Sequence, residues 1–347
     1  MAGIPALLGP GMLVQPFELL DELALLARAG VDPAQVRVSS TATIVLPHHV
    51  DEDIASDKRR GLGTTRSGIG PALADKARRI ALRVQDLTDA ARVRQALEAR
   101  VPRQRRAELE ASARSIVRCG RKLAPRVVDG GAMVRAALDR GDHVLCEGAQ
   151  GVLLDVDHGT WPYVTGTHPT VSGALAALGI PPRAAGRVIG VTRAYCTRQG
   201  PGAFPTEVRG HDEGALRAAT HEYSMRIGWL DLHALRFAHA LNGFDELVVT
   251  GLDRLRGLST VRVGDGWTDA RGRPTDSLCT RPAVRARLRD LPGFLLDVSG
   301  ARTASALPSA ARAFLDDVER SVSVPVLRFS VGRDGPLATR RSSLLRR

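Results

Sequence analysis

Between Glu147 and Thr165 the chain gathers glycines, an amide, hydroxyls and acids into nineteen residues. The string runs Glu147-Gly148-Ala149-Gln150-Gly151, then through Asp155, Asp157, His158 and Gly159 to Pro162-Tyr163-Val164-Thr165. Gln150 can donate and accept in one plane, as reading a purine edge or holding a phosphate demands, and Thr165 adds a hydroxyl. A second group, Gly63-Thr64-Thr65-Arg66-Ser67-Gly68-Ile69-Gly70-Pro71, supplies three glycines, three hydroxyls and one arginine ahead of a helical stretch. Backbone N–H groups in such a turn, with hydroxyls and a helix N-terminus, suit an anion. The plainer readings are a loop cap for Gln150 and Thr165, an ordinary flexible loop for 63–71, and a solvated face for the following Asp75-Lys76-Ala77-Arg78-Arg79.

These groups need elements to hold them. The apolar run His143-Val144-Leu145-Cys146 before Gly-Ala-Gln-Gly predicts a buried strand whose C-terminal end opens into the polar loop, where open α/β sheets bind ligands. Ala6 to Val14 reads as a strand end entering a turn. Pro16 opens a helix with Leu19, Leu20, Leu23, Leu26 and Ala27 at helical spacing, and Gly30 stops it. Val36 to Leu46 reads as a strand, the charged and glycine-rich 51–71 as a loop, and 72–140 as a helical subregion. Short apolar runs at 187–191, 247–250, 259–263 and 324–329 then alternate with helical or glycine-rich segments. That alternation predicts the α/β class, with a mainly parallel central sheet flanked by helices, here as one domain over 1–347 with a frayed tail at 336–347.

Composition narrows the functional classes. With 347 residues and 44% apolar content the chain can bury a large core. It has no membrane-spanning apolar run and no export signal, so a cytoplasmic location is expected. Cys119, Cys146, Cys196 and Cys279 are far apart and form no CxxC pair, which points away from zinc and disulfides. No metal site is expected from the residues. The net charge is +12, and Lys58, Lys76 and Lys122 are the only lysines. Aromatic content is 4% and no basic stretch is interleaved with stacking side chains, so the arginine excess reads as solvated helix faces rather than a nucleic-acid surface.

The nineteen-residue string closely resembles the nucleotide-binding core of adenylosuccinate synthetases. Gly68–Pro71, Phe204-Pro205-Thr206-Glu207 and Gly228-Trp229-Leu230-Asp231 follow that family's motifs in the same order. The fold implied is P-loop NTPase-related. The activity implied is GTP- and Mg²⁺-dependent C–N ligation in purine biosynthesis. The O6 atom of inosine monophosphate (IMP) attacks the γ-phosphate of GTP, and the amine of aspartate then displaces phosphate. The resemblance assigns the IMP contacts to Thr65, Gln150 and Thr165, with Arg79 reaching the same phosphate from the partner of a homodimer. Thr220 and Arg226 fall in the amine-donor loop, and Asp253, Ser330 and Gly332 in the guanine-binding turns.

The chain also departs from that pattern. It contains no Gly-x-x-x-x-Gly-Lys-Ser/Thr and no Gly-Asp-Glu-Gly-Lys-Gly-Lys phosphate loop, and neither the family's aspartate general base nor its catalytic histidine, so no catalytic residue is assigned. It joins the pattern at Leu8-Gly9-Pro10-Gly11. Arg66-Ser67 stands for Gly-Arg or Lys-Lys, Gly166-Thr167-His168-Pro169 for Ser-Ser-Asn-Thr, Gln199 for an apolar residue, and Gly251 for the lysine beside the base. Tyr223 takes the place of the arginine that clasps the donor carboxylate, and Glu222 precedes it. Three readings stay open: a ligase completed by a separate phosphate-loop subunit or upstream segment, a diverged ligase using a neutral or cationic amine, and an inactive nucleotide-binding or dimerising module.

Overall fold

The computed structural model describes residues 3–98, 106–276, 284–332 and 337–340. The chain forms two compact units: Met1–Ala149 with Thr165–Ala185, and Gln150–Val164 with Gly186–Arg347. No helix among the described residues is long and apolar enough to cross a membrane.

The first unit holds β1 (Ala6–Leu8), β2 (Leu13–Val14), α1 (Pro16–Arg28), β3 (Val36–Ser39), β4 (Thr43–Ile44), α2 (Pro47–Arg60), α3 (Ile69–Arg78), α4 (Ala90–Glu98), α5 (Arg106–Leu123), β5 (Val127–Val128), α6 (Gly130–Asp139) and α7 (Val171–Leu178). Strands β1, β3 and β5 form a parallel sheet and β2 pairs with β4, also parallel. Helix α1 begins at Pro16, whose missing N–H costs nothing at a helix start, and buries Leu19 and Leu23. They join Val38, Ile44, Leu82, Ile116 and Leu123 in one core.

The second unit holds β6 (Ile189–Arg193), β7 (Tyr195–Arg198), α8 (His211–Thr220), β8 (Arg226–Asp231), α9 (Leu232–Asn242), β9 (Glu246–Thr250), β10 (Thr260–Thr268), β11 (Pro274–Thr275), β12 (Arg285–Pro292), α10 (Ser309–Val322), β13 (Val326–Phe329) and β14 (Ala338–Thr339). One sheet runs β14-β13-β9-β6, with β6, β9 and β13 parallel. The other runs β11-β10-β8-β7, with β12 also on β10 and the β8–β10 pair parallel. Leu230, Leu247, Val249, Phe314 and Phe329 are buried between strands and helices. The α/β class with a largely parallel sheet is borne out.

Several sequence expectations are corrected. Residues 143–146 are not a strand: the run has no regular secondary structure and is mostly exposed, with Leu145 87% accessible. A strand exists only by pairing, and no described strand lies beside this one. All of 51–60 is helix α2 rather than loop, begun by Pro47 and closed by Gly61 in the left-handed conformation. Its charges misled because one polar stripe, His49, Asp53 and Asp57, is buried. Val36 to Leu46 is two short strands, since Ala42 N–H bonds back to the Ser39 carbonyl and turns the chain. The helical subregion 72–140 holds most of α3 with α4, α5 and α6, but the strand β5 separates α5 from α6, and 99–105 lie outside the described residues. The tail is not frayed at Ala338–Thr339, which pairs with β13, while 336 and 341–347 lie outside the described residues.

Candidate functional site

In the first unit, two acids of α2 build the loop that leads into α3. Asp53 and Asp57 stand one helical turn apart, both buried, facing the loop. Asp57 Oδ1 accepts the backbone N–H of Gly63 at 2.7 Å and of Thr64 at 3.1 Å, and its Oδ2 accepts from Arg66 Nε at 3.1 Å. Asp53 Oδ1 accepts the Thr64 hydroxyl at 2.9 Å and its Oδ2 the Gly68 N–H at 3.0 Å. The Thr64 amide beside Asp57, helped by Arg66 and the Gly63 amide, holds that carboxyl below its ordinary 3.8. The outcome is an exposed tip where the hydroxyls of Thr65 and Ser67 lie 2.7 Å apart. These acids were missed in the sequence. The signal was there, in polar residues spaced by four (49, 53, 57) just ahead of a glycine-rich loop.

Helix α3 continues from the tip. His49 Nδ1 accepts the Leu46 N–H at 3.0 Å, so the neutral ring carries its proton on Nε2, which faces Asp75 Oδ2 at 3.2 Å and ties α2 to α3. His48, His49 and Asp75 bring one potential ligand atom each within 4.8 Å of one another. A metal on His49 Nε2 would have to displace that proton and leave an imidazolate, and Mg²⁺ prefers oxygen ligands. The cluster therefore fits a hydrogen-bonded brace and does not fit Mg²⁺. Thr165 lies along the same helix: its hydroxyl is 3.3 Å from that of Thr167, and a Cβ on Gly166 would sit 2.6 Å from Leu73 of α3. Arg79 occupies the far end of α3, exposed and left-handed with φ +65°. Three of the four residues expected to contact IMP thus lie at the ends of α3 or beside it.

The fourth, Gln150, belongs to the second unit, exposed and left-handed with φ +66°. The segment after it is wired internally. Asp155 Oδ1 accepts the N–H groups of Asp157 and His158 at 2.9 and 3.0 Å. Gly159 is required because a Cβ there would meet the carbonyls of Leu153 and Asp155 at 2.5 Å. Arg198 fastens the segment to β7, donating to Thr160 Oγ1 at 3.0 Å and to the carbonyls of Tyr163 and Pro201 at 3.1 and 2.9 Å.

A cleft of about 530 Å³ opens in the second unit among Arg198, Gln199, Arg209, Ser224 and Arg226. Arg226 grips Glu207 through Nε and Nη2, at 2.7 and 2.8 Å, and also donates to the carbonyls of Gly200 and Gly202. That ion pair holds the Glu207 carboxyl below its ordinary value. Arg209 is far freer, with its side chain 83% accessible. Thr220 is buried, its hydroxyl given to the Leu216 carbonyl inside α8, and does not line the cleft. Glu222 caps its own loop by accepting from Ser224 and Met225, while Tyr223 points outward at 69% accessibility.

At the C-terminal ends of the parallel strands β9 and β13, the three residues expected to read guanine sit at one corner. Ser330 Oγ accepts the Gly251 N–H at 2.9 Å, the Ser330 carbonyl accepts from Leu252 N–H at 3.1 Å, and Gly251 turns with φ +68°. Gly332 follows with φ +137°. Asp253 Oδ1 is buried and has no hydrogen-bond partner among the described residues, while Oδ2 lies 3.6 Å from Arg254 Nε. A carboxylate oxygen left unmatched in the interior is costly, and an N–H edge supplied by a ligand would satisfy it.

Comparison with known proteins places the site in context. The family model described as adenylosuccinate synthetase matches residues 2–336. The adenylosuccinate synthetase of Thermus thermophilus is 40% identical over 336 residues, covering 93% of this chain and 80% of that one. The enzyme of the same name from Desulforudis audaxviator is 40% identical over 349 residues, covering 94% and 81%. Among solved structures, the fully ligated adenylosuccinate synthetase of Plasmodium falciparum superposes with a TM-score of 0.88 at 26% identity, over 96% of this chain and 84% of that one.

Proposed function

We propose, on the premise that this chain belongs to the adenylosuccinate synthetase family, that it holds an IMP-like purine monophosphate and reads guanine for GTP-dependent C–N ligation. The observation that carries this reading is the buried, unmatched Asp253 oxygen beside the Ser330 turn. A guanine presents a ring N–H and an exocyclic amine to such a carboxylate, whereas adenine presents an acceptor there. GTP, when bound, would supply the phosphoryl group that activates the purine O6. The base end of GTP fits the residues present. The described residues offer no fitting Mg²⁺ ligand set.

Thr65 and Ser67 at the loop tip, with Thr165 along α3, are the groups we assign to the monophosphate, with Gln150 to orient the purine. Arg79 belongs to a partner's site. Helix α3 spans ten residues, about 15 Å at 1.5 Å per residue, so its two ends do not meet at one phosphate within a chain. This supports a homodimer. The cleft carrying Arg198, Arg209 and Arg226 supports an anionic amine donor such as aspartate, because Glu222 is engaged by its own loop. A cytoplasmic setting accords with these small-molecule substrates. Equilibrium dialysis with labelled GTP tests the reading: GTP is expected to bind at least tenfold more tightly than ATP, about 1.4 kcal/mol. Equal affinities would overturn it.

A further inference from the structure

Most of the 63–68 loop's donors are turned inward. The N–H groups of Gly63 and Thr64 go to Asp57, that of Gly68 goes to Asp53, and that of Arg66 goes to Thr64 Oγ1. A phosphate at the tip would meet the two hydroxyls of Thr65 and Ser67 but none of these four amides. Within the loop, the one cation that can answer its charge is the Arg66 side chain, beside the Arg79 that a partner would bring.

Arg66 is held in a particular way. Its backbone is left-handed, φ +57°, a conformation that costs a residue with a Cβ about 1 kcal/mol or more. Asp57 Oδ2 grips its Nε at 3.1 Å, while neither terminal nitrogen bonds to any described residue, and the side chain is 56% accessible. A guanidinium anchored at Nε keeps its plane fixed and presents the Nη1–Nη2 edge, which matches two oxygens of a phosphate.

We propose that Arg66 is a phosphate-reading specificity residue: Asp57 fixes its orientation so that the terminal nitrogens select a dianionic phosphate monoester over a nucleoside or a monoanionic ester. This rests on the purine-monophosphate reading above. The same role accounts for a strained arginine where glycine would be relaxed: the position trades backbone ease for an oriented charge.

Glycine at position 66 separates the two roles, because it relieves the backbone while removing the guanidinium. Wild type, Arg66→Gly, Arg66→Lys and Asp57→Asn are titrated calorimetrically with IMP and inosine from pH 5.5 to 7.5, and their Tm values are measured. The phosphate monoester gains its second charge near pH 6. Wild-type affinity for IMP is expected to rise across that range. Arg66→Gly is expected to lose about 10- to 100-fold at pH 7.5, as for a charged hydrogen bond of about 1.5–3 kcal/mol. Its pH dependence flattens while its Tm stays level or rises. Arg66→Lys, charged but without the planar edge, and Asp57→Asn, charged but unanchored, are expected to fall between. If wild type binds IMP and Arg66→Gly binds it equally well with the same pH dependence, the assignment of Arg66 is overturned. Absence of IMP binding by wild type would instead overturn the monophosphate reading on which it rests.

Discussion

Asp253 shows how a single atom can carry a functional argument. Its Oδ1 is buried, lacks a partner among the described residues, and lies beside a turn stapled by Ser330. Removing the carboxylate is expected to leave the fold intact and to damage guanine recognition alone. Asp253→Asn should weaken GTP binding by about 1.5–3 kcal/mol and leave ATP binding unchanged, measured by competition dialysis. Loss of both affinities together would mean that the residue supports the fold rather than the base. This corner was legible in the sequence because short motifs at 250–253 and 330–332 carry it, and strands β9 and β13 bring them together in parallel. Thr220 and Arg226 were legible only as positions. Their engagement by the Leu216 carbonyl and by Glu207 depends on packing that a linear string does not encode.

The pairing of α2 with its loop is the element on which the phosphate reading depends. Gly68 is left-handed, φ +78°, and a Cβ there would sit 2.9 Å from the backbone of His49 and Val50. Gly68→Ala is therefore expected to destabilise the protein by about 1–3 kcal/mol. Gly214, exposed inside helix α8, has open space where a Cβ would stand, which gives the opposite sign: Gly214→Ala should stabilise by about 0.5–1 kcal/mol. Urea unfolding of the two variants checks the pair. Asp57 gives the same loop a pH signature. Because the Thr64 amide, Arg66 and the Gly63 amide lower its folded pKa below 3.8, its stabilising contribution is present above that value. It is lost as pH falls through the lower folded value. Asp57→Asn should lower Tm throughout the range from pH 8 to 5, and the gap to wild type should narrow only below 3.8. The loop itself was evident from its glycines and hydroxyls. The helix beneath it was hidden, because a buried stripe of His49, Asp53 and Asp57 reads, in sequence, as solvent-facing charge.

For the whole molecule, the proposed homodimer assigns Arg79, at the far end of α3, to a neighbour's site rather than to its own loop. Mixing Arg79→Ala with Thr65→Ala protein tests that directly. Mixed dimers would carry one intact site and one doubly damaged site, so tight IMP binding should reappear at about a quarter of sites on random exchange. If Arg79 acted within its own chain, mixing would restore nothing. Arg79→Ala by itself should weaken IMP binding by about 1.5–3 kcal/mol. The claim beneath all of these is that the chain binds a purine monophosphate through its phosphate. Isothermal titration of the wild-type protein with IMP, and separately with inosine, tests it most directly. Saturable IMP binding with a submillimolar Kd, at least tenfold tighter than inosine, is the predicted result. An absence of IMP binding, or equal affinity for inosine, would contradict it.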